Sequence, residues 1–127
     1  MSFFKSLFGD EGQQQKVSGM KWNALTDLGQ LEVIVEESKQ SPVVIFKHST
    51  RCSISRMALK QFENEFDSEN KIKPYFLDLL EYRAISNEIA SLFDIMHQSP
   101  QMIVIKNGIV VHDASHGDIH VEDLKKI

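Results

Sequence analysis

A single cysteine, Cys52, is all the thiol chemistry this chain of 127 residues contains. A secreted domain of this size would more often carry paired cysteines as a disulfide framework, so that class is set aside, as is a structural zinc site built on several cysteines. Excess basic charge is also lacking. The formal net charge is -4, Lys and Glu are interleaved, and there is no basic stripe of the kind that binds a phosphate backbone. The apolar runs are all far too short to span a bilayer, and no long apolar segment near the N-terminus leads to a small-residue cleavage site. These absences predict a cytoplasmic protein with no nucleic-acid partner and no membrane span. There is no internal repeat. The apolar and charged fractions are those of an ordinary globular domain, and the length suits one domain with one core.

Residues 1–20 read as an N-terminal extension, flexible or loosely docked, ahead of a domain at 21–127. Phe3, Phe4, Leu7 and Phe8 recur at one-face helical spacing, and the polar linker Gly9 to Gln15 then breaks the pattern. Such a piece can dock on a membrane surface or a partner, or simply fray. From Trp22 the pattern becomes that of a folded unit. Thr26 is placed to cap a helix with Leu28, Leu31, Ile34 and Val35 inward and Glu32, Glu36 and Glu37 toward water, stopped by Ser41-Pro42. Val43 to Lys47 reads as a central strand buried on both faces. Ala58, Leu59, Phe62 and Phe66 then recur at helical intervals up to the polar cluster Asp67 to Asn70. A strand over Ile72 to Leu79 follows, with Pro74 marking its start or a sheet edge, and then a helix over Tyr82 to Phe93 with Ile85, Ile89, Leu92 and Phe93 inward. Asn107-Gly108 between two β-rich runs, Gln101 to Lys106 and Ile109 to His112, predicts a hairpin. Asp118 to Ile127 can close the chain as a short helix. A β-α-β start followed by an antiparallel hairpin gives an α/β fold, a mixed central sheet with helices on both faces.

His48-Ser49-Thr50-Arg51-Cys52-Ser53-Ile54-Ser55 lies where the central strand hands over to a helix. The first amides of a helix lack intrahelical partners, and the helix dipole adds partial positive charge there, so such a position favours the nucleophilic thiolate form.

This order of elements, with a cysteine starting the helix after the first core strand, resembles the thioredoxin fold. Ser99-Pro100-Gln101-Met102-Ile103-Val104-Ile105-Lys106-Asn107-Gly108 is similar to the thioredoxin segment in which a cis-proline opens the strand that ends in a Lys-Asn-Gly hairpin. Finer wording, in Phe46 to Ser55, Ser99-Pro100-Gln101 and Ala114-Ser115-His116-Gly117-Asp118-Ile119, resembles the YtxJ-like monothiol bacilliredoxins over about Trp22 to Leu124. That resemblance implies a bacterial enzyme that removes bacillithiol, a low-molecular-weight thiol, from mixed disulfides on oxidised client proteins. The family motif often has proline where this chain has Ser53, which leaves the nucleophile in place and the helix start less constrained.

In that reading Cys52 is the catalytic nucleophile. Ser55 occupies the position of a second cysteine, so resolution must come from an outside thiol. The amides of Ile54 and Ser55 and the hydroxyls of Thr50 and Ser55 are candidate donors to the thiolate. Arg51, Lys47 and His48 supply positive charge, although strand alternation argues against one cluster of all three. Ser99, Pro100, Lys47, His48 and Gly117 are expected to meet the substrate. The resemblance has the proline keeping metals from the sulfur, the Ser99 backbone orienting an extended substrate and Gly117 lining a third loop. Phe46 stands where thioredoxins tend to bury an acid that activates the second cysteine. For His48 and His116 structural roles compete with functional ones. His112, His116 and His120 fall four apart yet straddle a strand end, a turn and a helix start, so they share no face and no metal site is expected. Met57, Met96 and Met102 read as core filler.

Other cysteine chemistries fail on spacing. A phosphatase-type loop needs arginine six residues after its cysteine, where this chain has Ala58; a peroxiredoxin motif needs proline seven before, where it has Ile45. No cofactor is expected, and the bacilliredoxin resemblance implies bacillithiol as co-substrate; the protein is expected to be a monomer. Two alternatives use the same residues: Cys52 of two chains with two small thiols holding an iron-sulfur cluster, or a redox-inert adaptor.

Overall fold

The computed structural model describes residues 20–67 and 71–127. The N-terminal extension therefore lies outside the described residues except for Met20, as do Ser68 to Asn70 of the polar cluster. The elements are β1 (Asn23–Ala24), α1 (Gln30–Glu37), β2 (Val43–His48), α2 (Ser53–Glu65), β3 (Lys73–Asp78), α3 (Arg83–Leu92), β4 (Gln101–Lys106) and β5 (Ile109–Ser115), followed by 3-10 turns at His116–Asp118 and Val121–Lys126.

The five strands form one mixed sheet in the order β1-β3-β2-β4-β5. β2 lies at its centre, parallel to β3 and antiparallel to β4, and all six of its residues are buried, the apolar run Val43 to Phe46 and the polar Lys47 and His48 alike. Odd-numbered strand residues, Val43, Ile45, Leu77 and Ile103 among them, face Leu31 and Ile34 of α1 and Ile85 and Ile89 of α3. Even-numbered ones, Val44, Phe46, Met102 and Val104, face Phe62 of α2 and Ile119, Val121 and Leu124 of the closing turns. Helices thus cover both faces. Trp22 secures the start of the folded unit: its ring stacks on Phe62 at 5.6 Å and its Nε1–H donates to Glu63 at 2.7 Å. Fully burying a ring such as Phe62 contributes about 2–3 kcal/mol.

Asn107 and Gly108 turn the hairpin with φ of 54° and 79°, the left-handed pair that an Asn-Gly turn supplies. Pro74 is the second residue of β3, and β1 joins that strand only from Tyr75, so Pro74 marks a strand start.

Several sequence expectations are corrected. Thr26 caps nothing with its side chain; α1 begins four residues later, and the Gln30 side chain accepts the amides of Thr26 and Asp27 instead. Leu28, left ahead of the helix, is exposed. Glu37 is half-buried because it accepts hydrogen bonds from Tyr75 and Lys73. Leu92 is exposed at the end of α3, where Ile89 and Phe93 fill the core side of the last turn instead. The closing segment forms 3-10 turns in place of a short α-helix. Met102 fills the core, whereas Met57 and Met96 are 72% and 77% exposed.

Candidate active site

Cys52 is the residue at which the chain changes from strand to helix. Its backbone is extended (φ -111°, ψ 122°), its N–H donates to the Ser49 carbonyl at 3.2 Å, and its own carbonyl accepts the Arg56 amide at 3.0 Å, closing the first turn of α2. The thiol is half-buried, and among the described residues no side chain hydrogen-bonds to its sulfur. Ile54, at the first turn of α2, is exposed beside it in sequence.

Ser55 is fully buried. Its Oγ accepts the Ser49 amide at 3.0 Å and lies 2.7 Å from His48 Nδ1, so this hydroxyl pins the loop between β2 and α2 from below. His48 is buried too, against the Phe76 ring. Burial holds its imidazole below the usual value, Asp78 opposes that shift and Arg56 adds to it. The imidazole is therefore neutral near pH 7, which corrects the expectation that His48 supplies positive charge.

Lys47 also departs from expectation. It is 1% exposed and, by strand alternation, points to the face opposite His48, where its Nζ meets His97 Nδ1 at 2.6 Å and Gln101 Oε1 at 3.2 Å. It does not join Arg51 in a surface cluster. Thr50 and Arg51 are exposed, and with Asp78, Leu80 and Glu81 they line a polar groove of about 400 Å³. The Thr50 carbonyl is held by Arg56 Nη1 at 3.1 Å.

Ser99 and Pro100 lie at the same end of the sheet as Cys52. Lys47 pairs with Gln101, so the register carries Pro100 beside His48 as β2 runs out toward the thiol. The Ser99–Pro100 peptide is cis, Pro100 is buried, and the Ser99 hydroxyl is buried with no partner among the described residues. The Pro100 carbonyl accepts the His116 amide at 3.1 Å. His116, whose φ is 56°, and Gly117 face the first turns of α2 across a groove of about 210 Å³ lined by Ile54, Met57 and Ala58. The His116–Gly117 loop thus faces the start of α2, and the Met96–Pro100 loop, at the same end of the sheet, joins it through the Pro100–His116 bond. His112 lies elsewhere, on β5, 3.5 Å from Asp123.

Sequence reasoning missed His97, Ser86 and Gln101. Lys47 and Gln101 did leave a signal, a polar residue at the end of one buried apolar run and at the start of another; nothing marks His97, which sits in an irregular loop. As to a metal or cluster, one cysteine supplies one sulfur ligand, and among the described residues no group of three or more His, Cys, Asp or Glu is arranged to hold an ion. A cluster would need most of its ligands from outside the chain, so no step is routed through one.

A thiol that starts the helix after the central strand of a mixed five-stranded sheet, with a cis-proline at the same end of that sheet, defines a thioredoxin-fold thiol oxidoreductase. Residues 23–124 match the family Monothiol bacilliredoxin BrxC, and the chain belongs to that family. A solved structure described as an oxidoreductase with a thioredoxin fold is 37% identical, with a TM-score of 0.71 over 81% of this chain and 89% of that one. The thioredoxin of Malassezia sympodialis (18% identical, TM-score 0.64, 84% of this chain and 86% of that one) and mitochondrial thioredoxin 3 of Saccharomyces cerevisiae (16%, 0.63, 83% and 91%) share the fold. Among the described residues no helix is long and apolar enough to cross a membrane.

Proposed function

We propose that this protein removes bacillithiol from protein mixed disulfides by a monothiol mechanism centred on Cys52. The observation that carries the reading is the pairing of a half-buried thiol at the start of α2 with a serine, Ser55, three residues on, which is buried and already bonded to His48 and Ser49. The chain holds a nucleophile and no resolving thiol.

In the first step the Cys52 thiolate attacks the bacillithiol sulfur of a client mixed disulfide. The client–bacillithiol S–S bond breaks, the client thiolate leaves and takes a proton from water, and a Cys52–bacillithiol disulfide forms. A second bacillithiol thiolate then attacks the bacillithiol sulfur of that adduct, regenerating Cys52 and yielding bacillithiol disulfide. The electrons balance: the client sulfur is reduced to a thiol, the second bacillithiol is oxidised in its place, and the first passes from one disulfide to another. The reaction belongs in the cytoplasm, where oxidised clients and the small thiol are both available.

Cys52→Ala should abolish release of bacillithiol from a bacillithiolated protein, followed by mass spectrometry of the client. Wild-type protein incubated with bacillithiol disulfide should carry one bacillithiol, on Cys52. Retained release by the alanine variant, or an adduct with glutathione disulfide that forms as readily as the bacillithiol adduct, would overturn the assignment.

A further inference from the structure

Lys47 is the feature of this molecule that neither the disulfide exchange nor the folding of the sheet accounts for. It stands in the central strand, 1% exposed, in register with Gln101 of β4, which is equally buried. Burying an ammonium is unfavourable unless its protons are bonded. The two bonds observed go to neutral acceptors, His97 Nδ1 at 2.6 Å and Gln101 Oε1 at 3.2 Å. Burial lowers the Lys47 amine to about 8; His97 is an exposed residue whose partial desolvation, and then the charges of Lys47 and Arg83, hold it below the usual imidazole value. His97 is therefore neutral near pH 7, with Nδ1 free to accept.

These bonds converge on one segment. Gln101 Oε1 also accepts the Gln98 amide at 3.3 Å, Gln101 Nε2 donates to the Met96 carbonyl at 3.1 Å, and the Ser86 hydroxyl lies 3.3 Å from the same nitrogen of His97. Met96, His97 and Gln98 are thereby tied to β2, β4 and α3 just before Ser99 and Pro100. From Pro100 the connection continues, because its carbonyl takes the His116 amide at 3.1 Å and so fixes the loop that carries Gly117. The Met96–Pro100 loop is anchored by a side chain that never reaches the surface, and the His116 loop follows it through the Pro100 carbonyl.

We propose that Lys47 is a positioning residue, which through His97 and Gln101 holds the Met96–Pro100 segment as the wall against which a client protein lies beside Cys52. The inference rests on the disulfide exchange proposed above. It takes Lys47 out of the set that touches substrate and gives it an effect on client recognition in place of thiol reactivity.

Lys47→Met keeps the unbranched stem of the side chain and removes its donors. It should raise KM for a bacillithiolated protein about 10-fold while changing kcat less than about 2-fold, the pattern of a lost orienting surface. By amide hydrogen exchange, Gln98 and His116 should lose protection about 10-fold relative to the core of β2. Unchanged KM with unchanged protection, or a fall in kcat with KM unaltered, would overturn the proposal. If Lys47→Met does not fold, His97→Ala removes the acceptor from the loop, leaves the Lys47–Gln101 contact in place, and should shift KM and Gln98 protection in the same direction. Inability of the wild-type protein to process the client would overturn the disulfide-exchange reading instead, and the exchange measurement would still decide whether Lys47 orders the wall.

Discussion

Ser55 shows how one residue can be both a missing reagent and a structural part. In place of a second thiol, the chain has a hydroxyl that accepts the Ser49 amide and meets the buried His48 ring. Removing it would leave the buried His48 nitrogen and the part-buried Ser49 amide without that partner, and such a loss costs more than the bond contributes when made. Ser55→Ala should therefore lower unfolding stability by roughly 1–3 kcal/mol, read from the urea midpoint, although the substitution deletes a single oxygen. An unchanged midpoint would mean that water or a neighbouring group replaces the hydroxyl. The neutrality of His48 belongs to the same arrangement, since a charged imidazole here would have to be desolvated beside Arg56.

At the scale of elements, α2 is shaped by the way it starts. Cys52 is extended, with φ -111° and ψ 122°, which is the region that a residue preceding proline is driven into. Ser53 is the first helical residue, where the N–H has no intrahelical partner and the φ that proline imposes is already helical. The backbone thus accepts the proline that the family often carries at this position. Ser53→Pro should stabilise the protein by about 0.4–1 kcal/mol, mainly by restricting the unfolded chain, and should leave the fold unchanged. Thermal unfolding measures this directly, and a loss of stability would show that the start of α2 needs a different backbone. The closing segment makes a useful contrast. Its acidic and basic residues suit a helix, yet Val121 and Leu124, three apart, are both buried on the α2 face, a spacing that 3-10 turns bring into line.

At the scale of the whole molecule, what could be read from the residues was local and periodic. Val43 to Phe46 is buried on both faces, as an unbroken apolar run of strand length favours, and Asn107-Gly108 turns the hairpin because few other pairs adopt those angles. Cys52 was legible for a similar reason, since it marks the change of period from strand to helix. What depended on contacts across the chain was hidden. Met57 and Met96 carry the composition of core residues, and only the packing shows them exposed. The Lys47–His97–Gln101 set joins residues some fifty positions apart through a strand register that neither segment reveals alone. That set has a consequence for global stability, with a definite sign. The Lys47 amine titrates near 8 in the folded protein and near 10.5 in an unconstrained chain, so between those values the unfolded state binds more protons and stability rises with pH. The cost of holding the charge inside is fully present below about pH 8, on the order of 3 kcal/mol, and is gone above about pH 10.5. Lys47→Met serves as the reference that cancels the pH dependence of the rest of the chain. The stability difference between wild type and that variant should move in favour of wild type by about 2–3 kcal/mol from about pH 7 to about pH 10 in urea unfolding. Parallel curves would mean that the amine is not desolvated as its burial requires. A difference that moves the other way would mean that the folded state holds the proton more tightly than the unfolded chain, which would place a carboxylate near Lys47 in solution.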